Sequence, residues 1–110
     1  MKKLVVIKTQ FAATHCWPEV PPYTEENYLQ YRHRHVFHIV MKWSISHNDR
    51  DIEFIGQKNI VENYLRVNFE GEHLGRTSCE DIAERLMVEF KAVYVSVFED
   101  NENGVQISID

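Results

Sequence analysis

Between residues 33 and 47 the chain alternates so that His33, His35, Phe37, Ile39, Met41, Trp43 and Ile45 share one face of an extended strand. Val36, His38 and Val40 fall on the other face. The β-branched and aromatic content suits a pleated strand. A strand with one heavily apolar face must be buried against another layer, so the remaining segments have to supply that layer and the strands beside it.

Leu4–His15 supplies one such strand, with Val5, Ile7, Phe11 and Ala13 on the face of His15. Pro18, Pro21 and Pro22 end it, and residues 16–32 show no clear helical or strand period. They are expected to form a long loop, and long loops in small domains usually carry function. After a polar turn at 46–51, residues 55–69 space Val61, Leu65 and Phe69 four apart, with Ile60, Tyr64 and Val67 beside them. This is the stripe of an amphipathic helix. A charged link, 70–76, leads to Thr77 and Glu80, a capping-box spacing ahead of Ile82, Ala83, Leu86, Met87 and Phe90. Residues 92–99 and 105–109, joined by a turn at 100–104, make two further strands. The order ββααββ predicts one α+β domain over residues 1–110, a four-stranded antiparallel sheet with both helices on one face. Tyr94 and Phe98 make the opposite face apolar too, so further copies of the chain are expected to cover it.

Twelve Lys and Arg against 17 Asp and Glu leave a net charge of -5. Such a field repels a phosphate backbone, which argues against a nucleic-acid partner. The start Met1-Lys2-Lys3 leads into a run that soon turns polar, no apolar stretch is long enough for a bilayer, and Cys16 and Cys79 have no disulfide-framework spacing. The expectation is a cytoplasmic protein with free thiols and no membrane partner. A chain of 110 residues has a small core, and a metal or partner subunits are common sources of added stability at this size.

The sharpest local feature is His33-Arg34-His35, whose two imidazoles project from the same strand face. If the first two strands pair as a hairpin, the long loop joins the ends at His15 and His33, and three imidazoles converge. Three neutral imidazoles with a fourth position open suit a catalytic zinc. By spacing alone, a hydrogen-bonded or surface His pair remains the other reading. His38 faces away, and His47 lies in the polar turn.

The succession Phe11-Ala12-Ala13-Thr14-His15, His33-Arg34-His35-Val36-Phe37, Ser78-Cys79-Glu80-Asp81-Ile82-Ala83 and Val97-Phe98-Glu99 resembles the 6-pyruvoyltetrahydropterin synthase and 6-carboxytetrahydropterin synthase family. The blocks occur in family order over nearly the whole chain. The resemblance implies the tunnelling fold, in which such subunits join their sheets into a barrel as trimers or hexamers. It also implies Zn2+ on His15, His33 and His35, with a dihydropterin such as 7,8-dihydroneopterin triphosphate as substrate in lyase steps toward tetrahydropterins or queuosine. Glu99 is expected to anchor the pterin, because a carboxylate accepts two parallel hydrogen bonds from the ring N–H and the exocyclic amine. Backbone amides near Ser78 and Cys79 are expected to add to this, as helix starts do for polar ligands. His73, with Glu72 in place of the family's Asp, matches the proton-relaying pair between the helices.

The family's catalytic Cys, four residues before the first His of the H-x-H pair, is replaced by Leu29. Glu25, Glu26 and Cys16 are the loop residues that could act as base instead. The alternative expectation is a member of the same fold that binds a pterin or purine-like ligand without turning it over.

Overall fold

A computed structural model describes residues 1–109 of the chain. The order is β1 (Leu4–His15), a short 3-10 helix (Glu25–Gln30), β2 (His33–Ser44), α1 (Phe54–Asn68), α2 (Cys79–Phe90), β3 (Tyr94–Glu99) and β4 (Asn103–Ser108). The four strands form one open sheet in the order β1-β2-β3-β4, each antiparallel to its neighbour. The expected α+β layout is therefore present.

Strand parity sorts the side chains as the alternation predicts. Val5, Ile7, Phe11 and Ala13 of β1, Phe37, Ile39, Met41 and Trp43 of β2, and Val95 and Val97 of β3 are all buried in one core. Val61 and Leu65 of α1, the adjoining Phe69, and Ile82, Ala83 and Leu86 of α2 complete it. Phe11 stacks on both Phe37 and Phe69, each at 5.1 Å between ring centres. Trp43 closes one end, its indole N–H donating to the Phe90 carbonyl at 2.8 Å. On the other sheet face Val36, His38, Val40, Tyr94 and Phe98 are half-buried.

Several local expectations shift. Strand β2 stops at Ser44, because the Ser46 amide and hydroxyl both bond the Asp51 carboxylate and turn the chain away. The loop at 16–32 contains a helical turn at Glu25–Gln30 that its lack of apolar period concealed. Helix α1 starts at Phe54, its first amides capped by the Glu53 carboxylate. Ile60 and Val67, placed beside the α1 stripe from the sequence, are exposed. The capping box of α2 is Ser78 with Asp81, one residue later than the Thr77–Glu80 pattern. Thr77 instead donates its hydroxyl to the Leu74 carbonyl.

Two features bring the pocket walls together. The interhelix link runs along β1 as a short parallel strip, with bonds from Gly71 N to Ala12 O, Thr14 N to Glu72 O, Leu74 N to Thr14 O and Cys16 N to Gly75 O. On the opposite side, Asp100 and Asn101 both take left-handed backbone (φ 53 and 58), which these residue types tolerate, and the Glu102 amide bonds the Glu99 carbonyl. This tightens the β3–β4 hairpin. Gly104 then lies so close to β3 that a Cβ there would fall 2.0 Å from the Val97 carbonyl oxygen.

Candidate metal centre

Antiparallel pairing of β1 with β2 sets His15 directly opposite His33 and Ala13 opposite His35. All three imidazoles then lie on the helix-facing side of the sheet, where the apolar rows run out. One potential ligand nitrogen from each lies within 4.8 Å of the others. Phe37, next along the β2 face, presents its ring edge-on to His15 and His35 and forms the floor.

Each imidazole is held by its Nδ1. His15 Nδ1 meets the Thr77 carbonyl at 2.9 Å, His33 Nδ1 the Tyr31 carbonyl at 2.8 Å, and His35 Nδ1 the Asp100 carboxylate at 2.7 Å. All three partners are acceptors, so each Nδ1 carries a proton, and in the neutral ring Nε2 keeps the lone pair. That is the usual orientation of a metal-binding histidine. His15 Nε2 is buried and makes no hydrogen bond. A buried polar atom left in this state is costly, and a cation between the rings would satisfy it. The donor set, three imidazole nitrogens, suits zinc and leaves a coordination position for another group.

Glu99 stands among these rings. Its Oε2 is 3.0 Å from His15 Nε2, without the alignment of a hydrogen bond, and its Oε1 is 3.5 Å from His35 Nε2. Burial alone would lower the pKa of His15, but the facing carboxylate and the Thr77 carbonyl outweigh it and raise the pKa above the usual imidazole value. The pKa of Glu99 is correspondingly lowered, chiefly by His15 and against its own partial burial. His35 and the Val36 amide together hold the Asp100 carboxyl below its usual range.

A pocket of about 510 Å³ opens beside the cluster, with His15, His33, Glu99, Leu29, Cys79 and Gly104 among its walls. Cys16 and Trp17 line it too, tied down by bonds from Cys16 N to Gly75 O and from Trp17 N to Leu29 O. Ser78 caps α2 with both its amide and its hydroxyl, which occupies the amide expected to serve a ligand. Cys79, as the first residue of α2, has an amide with no intrahelical partner. Its thiol is buried and points to Glu99 Oε2 at 3.6 Å. Burial first, and then the Glu99 charge, push that thiol up to about 12, so it stays protonated at any physiological pH.

The structure does not bring every expected residue to this site. His73 bonds Thr14 Oγ1 at 2.8 Å on the opposite sheet face, because residues 72–74 pair with the edge of β1 and follow its parity. Glu72 is exposed beside it and meets β1 through its backbone carbonyl. Glu25 and Glu26 are exposed on the 3-10 helix and are not among the pocket walls. Leu29 does face the pocket, at the position expected for a catalytic thiol. Sequence reasoning missed Asp100, whose only signal is a carboxylate in a hairpin turn beside a strand that carries His35.

No protein-family model matches the chain, and no curated protein matches its sequence. No described helix is long and apolar enough to cross a membrane.

Proposed function

We propose that the protein is a zinc-dependent pterin enzyme of the 6-pyruvoyl/6-carboxytetrahydropterin synthase type, acting on 7,8-dihydroneopterin triphosphate or a related dihydropterin in the cytoplasm as a homo-oligomer. The observation that carries this reading is the convergence of three imidazoles, each held through Nδ1, beside a pocket lined by His15, His33 and the Glu99 carboxylate. His15, His33 and His35 would hold Zn2+, which when bound supplies Lewis acidity toward a substrate hydroxyl.

The chain's own groups supply recognition. The Glu99 carboxylate turns from the imidazoles to accept two hydrogen bonds from a planar pterin edge. The Cys79 amide adds a donor at the start of α2, and Trp17, Leu29 and Val105 give apolar walls that exclude water from the ring.

Leu29 favours a second reading, a pterin- or purine-binding protein without turnover. It places an apolar side chain where a base is needed, Cys79 cannot supply a thiolate, and His73 of the same subunit lies across the sheet. The two readings separate on incubating the purified, zinc-loaded protein with 7,8-dihydroneopterin triphosphate. Release of triphosphate, abolished in His35→Ala, is the expected result. Saturable pterin binding without release assigns the second reading, and loss of that binding in Glu99→Gln identifies the anchor.

A further inference from the structure

We propose that Asp100 is a positioning residue that locks His35 as a metal ligand and strengthens its Nε2 as a donor. The proposal rests on the assignment of His15, His33 and His35 as a metal centre. Among the described residues, the acceptors for the three Nδ1 protons differ in kind. His15 and His33 donate to neutral backbone carbonyls, of Thr77 and Tyr31, whereas His35 donates to a carboxylate. A carboxylate on the far nitrogen fixes the tautomer and ring angle and raises the basicity of the ligating nitrogen.

The need for such a clamp follows from exposure. The side chain of His35 is 21% exposed against 10% for His15, so packing alone holds it less firmly. Asp100 is itself held on both sides. Its amide donates to the Val36 carbonyl at 2.7 Å, and its Oδ1 accepts from the Val36 amide at 3.0 Å. Those two bonds grip the backbone next to His35, which leaves Oδ2 aimed at the ring at 2.7 Å. The left-handed backbone at Asp100 (φ 53) makes this double grip possible.

The test measures zinc affinity by chelator competition and the visible spectrum of the cobalt-substituted protein, for the wild type, Asp100→Asn, Asp100→Gly and His35→Ala. Asn keeps the left-handed backbone but loses the charge and can serve only one of the two N–H groups, and Gly adopts the same φ with no side chain. Zinc affinity of the folded protein is expected to fall about 10–100-fold in both Asp100 variants, with a shifted cobalt spectrum, beyond any drop in the melting temperature of the metal-free protein from the lost Val36 amide bond. A purely structural role would instead lower that melting temperature and leave the affinity of the folded fraction intact, which overturns the proposal. Wild-type affinity in the Asp100 variants with none in His35→Ala also overturns it, while the metal assignment stands. Wild-type affinity in His35→Ala removes the metal assignment and the role of Asp100 together.

Discussion

The helix-facing side of the sheet has two unlike ends. At one, Met41 and Trp43 of β2 lie in the apolar core, and the Trp43 indole N–H is satisfied by the carbonyl of Phe90 at the end of α2. At the other, beyond Phe37, the same alternation brings His33, His35 and His15 together beside a pocket that His15 and His33 line, where every ring nitrogen has to be accounted for individually. The two ends share one strand register and differ in what covers them. Where helix covers the sheet, apolar area supplies stability; where coverage stops, the same positions become available for chemistry.

Phe37 stands at the boundary and offers the largest test. Truncation of this fully buried ring (Phe37→Ala) should destabilise the protein by about 3–5 kcal/mol in denaturant unfolding, since it touches Phe11 on one side and two of the histidines on the other. If the two ends are energetically distinct, His33→Ala behaves in the opposite way. Zinc binding in titration calorimetry should be lost, while the unfolding free energy of the metal-free protein moves by about 1 kcal/mol or less.

Acidity sharpens the contrast further. In the metal-free protein the His15–Glu99 pair contributes stability that is present above the ordinary Glu value of 4.5 and fades as pH falls through the lowered pKa of Glu99. On the His15 side the contribution is full below the ordinary value of 6.5 and fades as pH rises through the raised pKa. Melting curves of the metal-free protein should therefore show this pair contributing most from 4.5 to 6.5. Zinc needs His15 neutral, so metal affinity should rise with pH across the region where that contribution is lost. Parallel trends in the two measurements would break the link between this pair and the metal site.

The smallest effect concerns the thiols. Both thiols line the pocket, but Cys79 is buried and pushed up to about 12 whereas Cys16 is half-buried, so a thiol reagent at pH 8 should modify Cys16 first and spare Cys79 in the folded protein. Equal reaction of both would place Cys79 nearer to solvent than its burial of 8% exposure allows.

How much of this was readable in the residues follows from the range of the interactions. Parity within β1 and β2 is local, so the shared face of His33 and His35 and the core rows of Phe37 and Phe11 could be read directly. The meeting of His15 with His33 needed only the assumption that the first two strands form a hairpin. His73 escaped because its side is decided by an irregular strip pairing with the edge of β1, for which the charged link 70–76 has no hydrophobic pattern. Asp100 escaped for a related reason. Its role depends on two successive left-handed residues that swing a turn carboxylate back over β2, a matter of backbone geometry that Asp-Asn permits without announcing.

The bond from the Trp17 amide to the Leu29 carbonyl divides the long β1–β2 connection into a base and a crown. Only the base is among the pocket walls; the crown exposes Tyr23 and Tyr28, while at its near end Val20 is buried and Glu19 pairs with Arg76. Closing a longer crown adds little entropy cost, since that cost grows only logarithmically with length. Residues 21–28 can thus be lengthened, shortened or redecorated while the geometry of the three histidines stays as it is.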